Sequence, residues 1–391
     1  MKNVTDMAGR YITDPTDLSL FLEECKRTSL LALDTEFIRE KTYYPQLCLI
    51  QLANGSDCAI LDPFALDDFS ALKGILLDTS VTKVVHAGDQ DCGILYHELG
   101  CLPRPVFDTQ RAAMLFGYSP QLGLAALVKA FCAVKLDKGD ALTDWTRRPL
   151  TNAQVEYALN DVRYLPQIFL TMHTKLTASG RIEWLREDLE RLSDEGFYLI
   201  EPGERWKKVK HTASLSPRQL AIVKEVAAWR ELTAQKKDYP RKWVLTDELV
   251  VEIAKRGPTT MDDLFQIRGM RDKLGDRWSQ EVIAAVQRGR ANPPEFWPQR
   301  GREGDRERDC RDALDLMSAL VYLRAKENHL ATALLASHEE LVRIACGDRD
   351  EARVLKSWRR EIVGEELLKL LDGEIALSLS NNRLKVTGIP Q

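Results

Sequence analysis

The stretch Leu31-Ala-Leu-Asp-Thr-Glu-Phe37 indicates the fold of the first half of the chain. Its apolar residues are typical of a buried strand, and that strand ends in two carboxylates, Asp34 and Glu36. Residues i and i+2 of a strand point to one face, so both acids share a face of the predicted sheet. Like charges at that spacing repel unless a cation lies between them. An Asp-x-Glu pair alone could equally be a solvated strand end. The other acidic stretches of the chain therefore decide between a solvated end and a functional site.

A second stretch, His86-Ala-Gly-Asp-Gln-Asp91, also follows a predicted strand, and Gly88 allows the chain to turn into a helix. Two of its aspartates compete for a functional role. Asp89 stands where a helix N-cap is expected, which is a structural task. Asp91 falls in the first helical turn, from which its side chain can reach back to the edge of the sheet.

The third stretch, Tyr157-Ala-Leu-Asn-Asp161, lies in a helix that the periodicity predicts over residues 152–169. The i, i+4 spacing places Tyr157 and Asp161 on one face of that helix. Such a pair occurs in many helices and indicates nothing alone.

Other polar residues near these stretches are interpreted as structural. His86 closes a strand end, Asp108 caps a helix and Asp62 ends a strand. Trp145 and Arg148 fix the loop before the helix.

Around these stretches, strands and helices alternate, which predicts a mixed α/β domain of about 190 residues. Asn54-Gly55 is a turn signal between two apolar runs and predicts a hairpin. The predicted strands cover residues 29–34, 47–52, 58–62, 83–86 and 106–107, and the first helices cover 13–26, 68–77 and 88–99.

From about residue 181 onward the strand signals nearly vanish and helical periodicity dominates. A second helical block over 310–372 resembles the first and is interpreted as a diverged repeat. Residues 374–388 alternate like a hairpin around Asn381-Asn382. The helices of the first block are predicted at 216–236, 246–255, 260–267 and 275–289.

The charge distribution is uneven along the 391 residues, whose net charge is −4. Residues 1–175 carry −5 and residues 176–300 carry +3, with 11 basic against 3 acidic residues between 205 and 242. An acidic half beside a basic segment suits a metal enzyme that acts on a polyanion, although a solvated helical face is the alternative. No apolar run is long enough to span a bilayer, and eight scattered cysteines suit buried thiols, so we expect a cytoplasmic protein without a membrane anchor.

Taken together, the three acidic stretches resemble the exonuclease motifs of the DEDD superfamily, in the DEDDy branch that the tyrosine defines. The resemblance to ribonuclease D is close and runs in order over about residues 30–170. The helical remainder is similar to the HRDC modules that follow the nuclease in that family. The matching motifs are LALDTEF, TYYPQLCLIQL, HAG..D, FDTQ, LDK and TDW..RPLT..Q.EYA..DV.YL.

This resemblance implies an α/β ribonuclease H-like exonuclease domain, a mixed sheet flanked by helices, followed by all-α HRDC-type domains. The expected boundaries are an exonuclease domain over 1–195, a linker over 196–211, an HRDC domain over 212–292, a linker over 293–309, a second HRDC-like domain over 310–373 and a tail over 374–391.

The resemblance also implies the metal chemistry. Asp34, Glu36, Asp91 and Asp161 are expected to hold two divalent cations, Mg²⁺ or Mn²⁺, because carboxylate oxygens suit such hard ions. One ion would lower the pKa of the attacking water and the other would stabilise the leaving 3′ oxygen. Tyr157 would orient that water by a hydrogen bond, since a phenolate base is scarce at pH 7.

Several residues are candidates for contacts with the substrate. Phe37 and Gln46 could stack on and hydrogen-bond the terminal nucleotide, and Lys138 could pair with a phosphate; plain core and plain surface are the alternatives. In the basic segment, cations interleave with aromatic residues, a pattern that suits single-stranded nucleic acid. Trp206 and Tyr239 lie near predicted helix ends and are expected to be exposed.

The leading interpretation is a 3′→5′ exoribonuclease that trims RNA with a single-stranded 3′ end, such as tRNA precursors, and releases 5′-nucleoside monophosphates. No obligate protein partner is evident. A DEDDy DNA exonuclease and a catalytically silent RNA-binding protein on the same fold are the alternatives. A RecQ-like helicase fragment is excluded because the chain has no GxxxxGK[ST] loop.

Overall fold

The computed structural model describes residues 9–136, 143–298, 310–350 and 352–390. The chain divides into two compact units. The first draws on Met1–Glu36, Leu47–Phe197 and Glu303–Gln391, and the second on Phe37–Gln46 and Tyr198–Arg302. The short segment Phe37–Gln46 therefore groups with the helical middle of the chain, which the sequence pattern did not predict.

A six-stranded mixed sheet forms the centre of the first unit. Its strands are Gly9–Ile12 (β1), Leu30–Ile38 (β2), Gln46–Ala53 (β3), Cys58–Leu61 (β4), Thr82–Val85 (β5) and Val106–Asp108 (β6). Their order is β1-β4-β3-β2-β5-β6; β3 and β4 pair antiparallel, and β1 with β4, β2 with β5 and β5 with β6 pair parallel. The predicted hairpin is thus confirmed, whereas the edge strand β1 was missed because its residues, Gly-Arg-Tyr-Ile, form no apolar run.

Three helices of this domain begin where a side chain accepts hydrogen bonds from free N–H groups of the first turn. Asp14 accepts a hydrogen bond from the backbone N–H of Thr16 at 2.8 Å, and Pro15 follows at the first helical position. The helices are Pro15–Thr28 (α1), Ser70–Leu77 (α2), Asp89–Leu99 (α3), Thr109–Ala113 (α4), Leu124–Cys132 (α5), Asn152–Arg163 (α6), Leu165–Ala178 (α7), Arg186–Glu190 (α8) and Glu195–Tyr198 (α9).

The prediction of one helix over 152–169 is wrong. Tyr164 ends α6, and Leu165 begins α7 with Pro166 in its first turn. Proline has no backbone N–H to donate and its ring clashes with the carbonyl four residues earlier, so the helix breaks before it. The part that carries Tyr157 and Asp161 is unaffected.

The second unit is helical, apart from the segment Phe37–Gln46. Its longest helix starts at a capping box in which Ser216 and Gln219 bond each other's backbone N–H groups. Trp229 lies in this helix and is only 8% exposed. The helices are Pro217–Lys237 (α10), Arg241–Val244 (α11), Asp247–Arg256 (α12), Met261–Phe265 (α13), Met270–Lys273 (α14) and Asp276–Ala291 (α15).

The second helical block packs against the nuclease domain within the first unit. The rings of Trp184 and Trp358 stack with centroids 4.3 Å apart and planes 4° from parallel. The block contains Arg311–Glu327 (α16), Thr332–Leu335 (α17), His338–Ala345 (α18), Ser357–Arg359 (α19) and Glu365–Leu371 (α20), followed by the strands Ile375–Ser380 (β7) and Arg383–Gly388 (β8). β7 and β8 form the hairpin predicted around Asn381-Asn382. The predicted domain boundaries and the repeat interpretation stay predictions.

Two expectations from composition can also be compared with the structure. Cys25, Cys48, Cys58 and Cys92 are buried, as expected, while Cys346 is exposed. In the part of the chain that the structure describes, no helix has both the length and the apolar character to cross a membrane.

Candidate metal centre

Strand β2 places two acids beside a third from helix α6. Carboxylate oxygens of Asp34, Glu36 and Asp161 all lie within 4.8 Å of one another. Asp34 and Glu36 come from alternate positions of one strand, as the sequence predicts. Asp161 comes from the middle of α6, which a capping box of Thr151 and Gln154 starts. The structure therefore brings together acids that are about 125 residues apart in the chain.

Asp91 is held next to this group by the residue between the two strand acids. Its Oδ1 accepts a hydrogen bond from Thr35 Oγ1 at 2.5 Å and another from the backbone N–H of Thr35 at 3.1 Å. Asp91 lies in the first turn of α3 and is 7% exposed. Its negative charge raises the pKa of both Asp34 and Asp161. Sequence reasoning missed Thr35, whose position between the two acids was the available signal.

The negative charge of the four acids is not balanced by nearby positive side chains among the described residues. Burial, reinforced by mutual repulsion, raises the pKa of Asp34 well above its usual value, that of Glu36 to about 8 and that of Asp161 to about 7. Burial raises the pKa of Asp91 to about 6, although the bonds from Thr35 oppose the shift. Among the described residues, no lysine or arginine forms an ion pair with any of them. An all-oxygen group with this unmet demand for positive charge fits hard divalent cations.

Tyr157 lies one helical turn before Asp161 and borders the acids. Burial, together with the charges of Asp161, Glu36 and Asp34, raises the pKa of its hydroxyl above the ordinary value. The ring of Trp145, which is 2% exposed, lies 5.9 Å from the Tyr157 ring. Tyr157 is therefore a neutral hydroxyl held at the edge of the acidic group.

The turn between β5 and α3 corrects one expectation. Gly88, and not Asp89, is the N-cap of α3, and Asp89 is the first helical residue, ion-paired with Arg111. Gly88 has a negative φ; it is needed because a Cβ there would lie 2.4 Å from Val85 Cγ2. Ala87 takes the left-handed conformation, with φ of 58°.

Asp108 and His86 have the structural roles that the sequence predicts. Asp108 caps α4 and also accepts hydrogen bonds from the backbone N–H groups of Ala87 and Gly88, each at 3.1 Å. His86 Nδ1 lies 3.0 Å from Thr109 Oγ1, and its Nε2 lies 2.9 Å from the carbonyl oxygen of Leu122. These contacts fix the turn that leads to Asp91.

Arg148 fixes the loop before α6, as expected. Its guanidinium bonds both carboxylate oxygens of Asp62, at 2.6 and 2.9 Å, and the carbonyl oxygens of Trp145 and Cys48, at 2.8 and 2.9 Å. Such a bidentate pair ties β4 to the loop that carries Trp145.

The residues expected to contact the substrate differ in their exposure. Phe37 is half-buried and Gln46 is exposed, and both group with the second unit. Lys138 lies outside the described residues. Tyr239 is exposed, as predicted, whereas Trp206 packs partly buried against the helical core, so the expectation of an exposed Trp206 is wrong.

Known proteins share these features over nearly the whole chain. The 3′-5′ exonuclease family model matches residues 10–177, and the HRDC domain model matches residues 219–286. Ribonuclease D of Sphingobium indicum is 38% identical over 383 residues, which cover 96% of this chain and 98% of the relative. The chain belongs to the ribonuclease D family.

Other members support the same fold and activity. Ribonuclease D of Zymomonas mobilis is 36% identical over 96% of this chain and 97% of the relative. The crystal structure of Escherichia coli ribonuclease D matches with a TM-score of 0.81 and 30% identity, covering 94% of this chain and 99% of that one. The expected fold class, a nuclease domain followed by HRDC-type helices, is confirmed. The chain is a 3′→5′ exoribonuclease, and its exonuclease domain uses divalent metal ions as its family does.

Proposed function

We propose that this exoribonuclease trims the 3′ ends of tRNA precursors and other structured RNAs by two-metal-ion hydrolysis at Asp34, Glu36, Asp91 and Asp161. The observation that carries the proposal is the acidic group itself, whose three closest oxygens lie within 4.8 Å of one another without a basic partner among the described residues. The Escherichia coli relative is described as an exoribonuclease involved in structured RNA processing, which supports the substrate class. Such RNAs are made in the bacterial cytoplasm, where we place the enzyme.

The carboxylate oxygens of the four acids determine which kind of ion the site would bind. Carboxylate oxygens suit Mg²⁺ and Mn²⁺, whereas zinc sites normally use cysteine or histidine. When bound, two such ions activate the attacking water and stabilise charge on the leaving oxygen. Either Mg²⁺ or Mn²⁺ fits the four acids. Asp34, Glu36 and Asp161 would hold the ions directly, and Asp91 would complete the site from the position that Thr35 gives it.

The side chains around the acids define the remaining steps. The neutral hydroxyl of Tyr157 donates a hydrogen bond to the attacking water and orients it toward phosphorus. The oxygen of the water bonds to phosphorus and gives up a proton. The bond between phosphorus and the 3′ oxygen of the penultimate nucleotide breaks, and that oxygen takes up a proton. The terminal nucleotide leaves with the phosphate on its 5′ oxygen. Phe37 and Gln46 are our candidates for contacts with the terminal nucleotide, and Lys138 for a contact with a phosphate.

The direct test is a 5′-labelled hairpin RNA with a single-stranded 3′ tail, supplied with a 3′-hydroxyl or a 3′-phosphate, and a DNA of equal sequence. We expect a descending ladder that stops near the stem for the 3′-hydroxyl RNA in Mg²⁺ or Mn²⁺, because terminal bases must unpair to enter the site. A 3′-phosphate should block trimming, since it adds about two negative charges beside Glu36.

Further outcomes of this assay also judge the proposal. Asp34→Asn should lower the trimming rate at least about 10³-fold, because a neutral amide replaces an anionic ligand. A single internal cut, release of nucleoside 3′-phosphates or undiminished activity in excess EDTA would contradict the proposal. Faster trimming of DNA than of RNA would favour the DNA exonuclease instead.

A further inference from the structure

Two cysteines of the second helical block lie side by side at the ends of two helices. Cys310 is the N-cap of α16, and Cys346 is the C-cap of α18. Their sulfurs lie 3.2 Å apart, within hydrogen-bonding distance for sulfur, although the residues are 36 positions apart in the chain. The fold of the block therefore brings together two thiols that are scattered in the sequence.

The helices that carry these cysteines are held together by apolar packing. Helix α16 buries Leu314 and Met317, and helix α18 buries Leu341 and Ile344. The two helices contact each other along the block. Because the beginning of α16 meets the end of α18, the separation of the two thiols is set by the packing of the helices and does not depend on a bond between the sulfurs.

The pair is open to small molecules in solution. Cys346 is exposed and Cys310 is partly exposed, whereas four other cysteines of the chain are buried. Thiols in proteins are usually buried, and burial makes them inert toward oxidants. Burial raises the pKa of Cys101 and Cys132, the remaining two, so less of their reactive thiolate is present. An accessible thiol beside a second thiol is the arrangement of a redox-active pair.

A disulfide between Cys310 and Cys346 requires only a small movement. Bonded sulfurs are about 2 Å apart, so the two atoms have to approach each other by about 1 Å from their separation of 3.2 Å. Rotation about the Cα–Cβ bond of the exposed Cys346 can move its sulfur by that distance. The bond can therefore form while the two helices stay packed.

We propose that Cys310 and Cys346 are a reversible oxidation site, at which a peroxide joins the two sulfurs in a disulfide. The bond would close the loop over residues 310–346 and tie the beginning of α16 to the end of α18. In the reducing cytoplasm where we place the enzyme, both residues are thiols until a peroxide is present. The modification acts on the second helical block and uses none of the four acids.

The reaction takes two steps with hydrogen peroxide as the oxidant. The thiolate of Cys346, the more exposed of the two, attacks one peroxide oxygen; the O–O bond breaks, and the other oxygen takes up a proton and leaves as water. This step leaves a sulfenic acid on Cys346. The Cys310 sulfur then attacks the Cys346 sulfur, the S–O bond breaks, and the oxygen leaves as a second water. The pair loses two electrons and two protons, and a dithiol such as dithiothreitol returns them.

The test treats the full chain with hydrogen peroxide, alkylates the remaining thiols under denaturing conditions and maps the peptides by mass spectrometry. In wild type we expect Cys310 and Cys346 in one pair of linked peptides that is lighter by two hydrogens than the reduced peptides. Dithiothreitol should restore alkylation of both. Neither Cys310→Ser nor Cys346→Ser should form a link. Cys132→Ser, which removes a thiol outside the pair, should form the link as wild type does.

The disulfide should also protect the block from proteolysis, because closing a loop restricts the unfolded chain more than the folded one. After the peroxide is removed, oxidised wild type should be cut within residues 310–390 at least about 10-fold more slowly than reduced wild type. Cys346→Ser should be cut at the same rate with and without peroxide treatment. Cys132→Ser should gain the same protection as wild type.

Several outcomes would overturn the proposal. One is alkylation of both cysteines in peroxide-treated wild type, and another is oxidation of Cys346 to the sulfonic acid without a link. A disulfide between two chains, seen in a non-reducing gel, would show that the thiol within reach belongs to a second copy. A link without slower proteolysis would show that the bond does not tie the two helices together.

Discussion

Thr35 donates two hydrogen bonds to a single oxygen of Asp91, one from its hydroxyl at 2.5 Å and one from its backbone at 3.1 Å. This contact joins the strand that carries Asp34 and Glu36 to the helix that carries Asp91. Outer-shell contacts of this kind orient metal ligands. Thr35, the neutral residue between Asp34 and Glu36, therefore positions Asp91, which lies 56 residues later in the chain.

Thr35→Val should therefore weaken the metal site without removing a ligand. We expect the rate to fall about 10-fold and the Mn²⁺ concentration for half-maximal activity to rise, because Asp91 keeps only its bond to the backbone. Activity measured against Mn²⁺ concentration reports both effects. Thr35→Ser, which retains the hydroxyl, should stay near wild type. An unchanged Mn²⁺ dependence in Thr35→Val would show that the hydroxyl does not position Asp91.

Tyr157→Phe should separate orientation of the water from metal binding. The pKa of the hydroxyl is raised, so it acts as a neutral donor and its loss leaves the ligands in place. We expect turnover to fall about 10- to 10³-fold with Mn²⁺ affinity unchanged in calorimetry. Tyr322→Phe, a change at an exposed tyrosine, is the matched control. Loss of Mn²⁺ binding in Tyr157→Phe would show that the hydroxyl holds the site together.

Asp188 should hold the second helical block against the nuclease domain. Its two oxygens receive Arg353 Nη2 at 3.0 Å and Arg359 Nη2 at 3.3 Å, and Arg359 is 3% exposed. Asp188→Asn leaves this buried guanidinium with only the exposed Glu187, 3.9 Å away, as a counter-charge, which costs about 3 kcal/mol. We expect earlier thermal unfolding and faster proteolysis within residues 310–390. Asp312→Asn, at an exposed position of the same block, should match wild type; equal behaviour of the two variants would exclude this role.

Glu231, which accepts hydrogen bonds from Arg205 Nε at 2.9 Å and Arg241 Nη2 at 2.8 Å, should make the stability of the second unit depend on pH. Its pKa in the folded chain is about 2, below the ordinary value of 4.5, so its contribution is complete above about pH 4.5 and disappears as pH falls toward 2. The shift corresponds to about 3 kcal/mol at pH 7. In urea unfolding, Glu231→Gln should be less stable than wild type by about that amount at pH 7 and should converge with it near pH 2. A difference that stays constant with pH would contradict this, as would an equal effect of Glu252→Gln.

The sequence predicted those parts of the molecule that local patterns control. The hairpin at Asn54-Gly55, the cap at Asp108, and the spacing of Tyr157 and Asp161 depend on residues a few positions apart. The acids were recognisable because strand alternation and helix periodicity already assign them to faces. Family resemblance then supplied the grouping that spacing alone left open.

Local sequence patterns do not predict contacts between residues that are distant in the chain. Nothing local indicates that Phe37–Gln46 groups with the helical unit, where Tyr43 donates its hydroxyl to Glu231, 188 residues away. Asp89 was predicted to be the N-cap of α3, but Gly88 has that position and Asp89 is the first helical residue. The close approach of Gly88 to Val85, which requires glycine there, is a contact that the sequence pattern does not show. The half-burial of Trp206 likewise depends on packing against the helical core and not on its position in the sequence.

Counting bound Mn²⁺ shows whether Asp34, Glu36, Asp91 and Asp161 hold two divalent cations. The signal of free Mn²⁺ in electron paramagnetic resonance, followed while Mn²⁺ is added to wild type and to Asp34→Asn, measures the stoichiometry. The account predicts two ions per wild-type chain and the loss of at least one in Asp34→Asn, whose fold should persist because the apo acids repel one another. Wild type that binds no Mn²⁺, or Asp34→Asn that binds it with unchanged stoichiometry and affinity, would contradict the account.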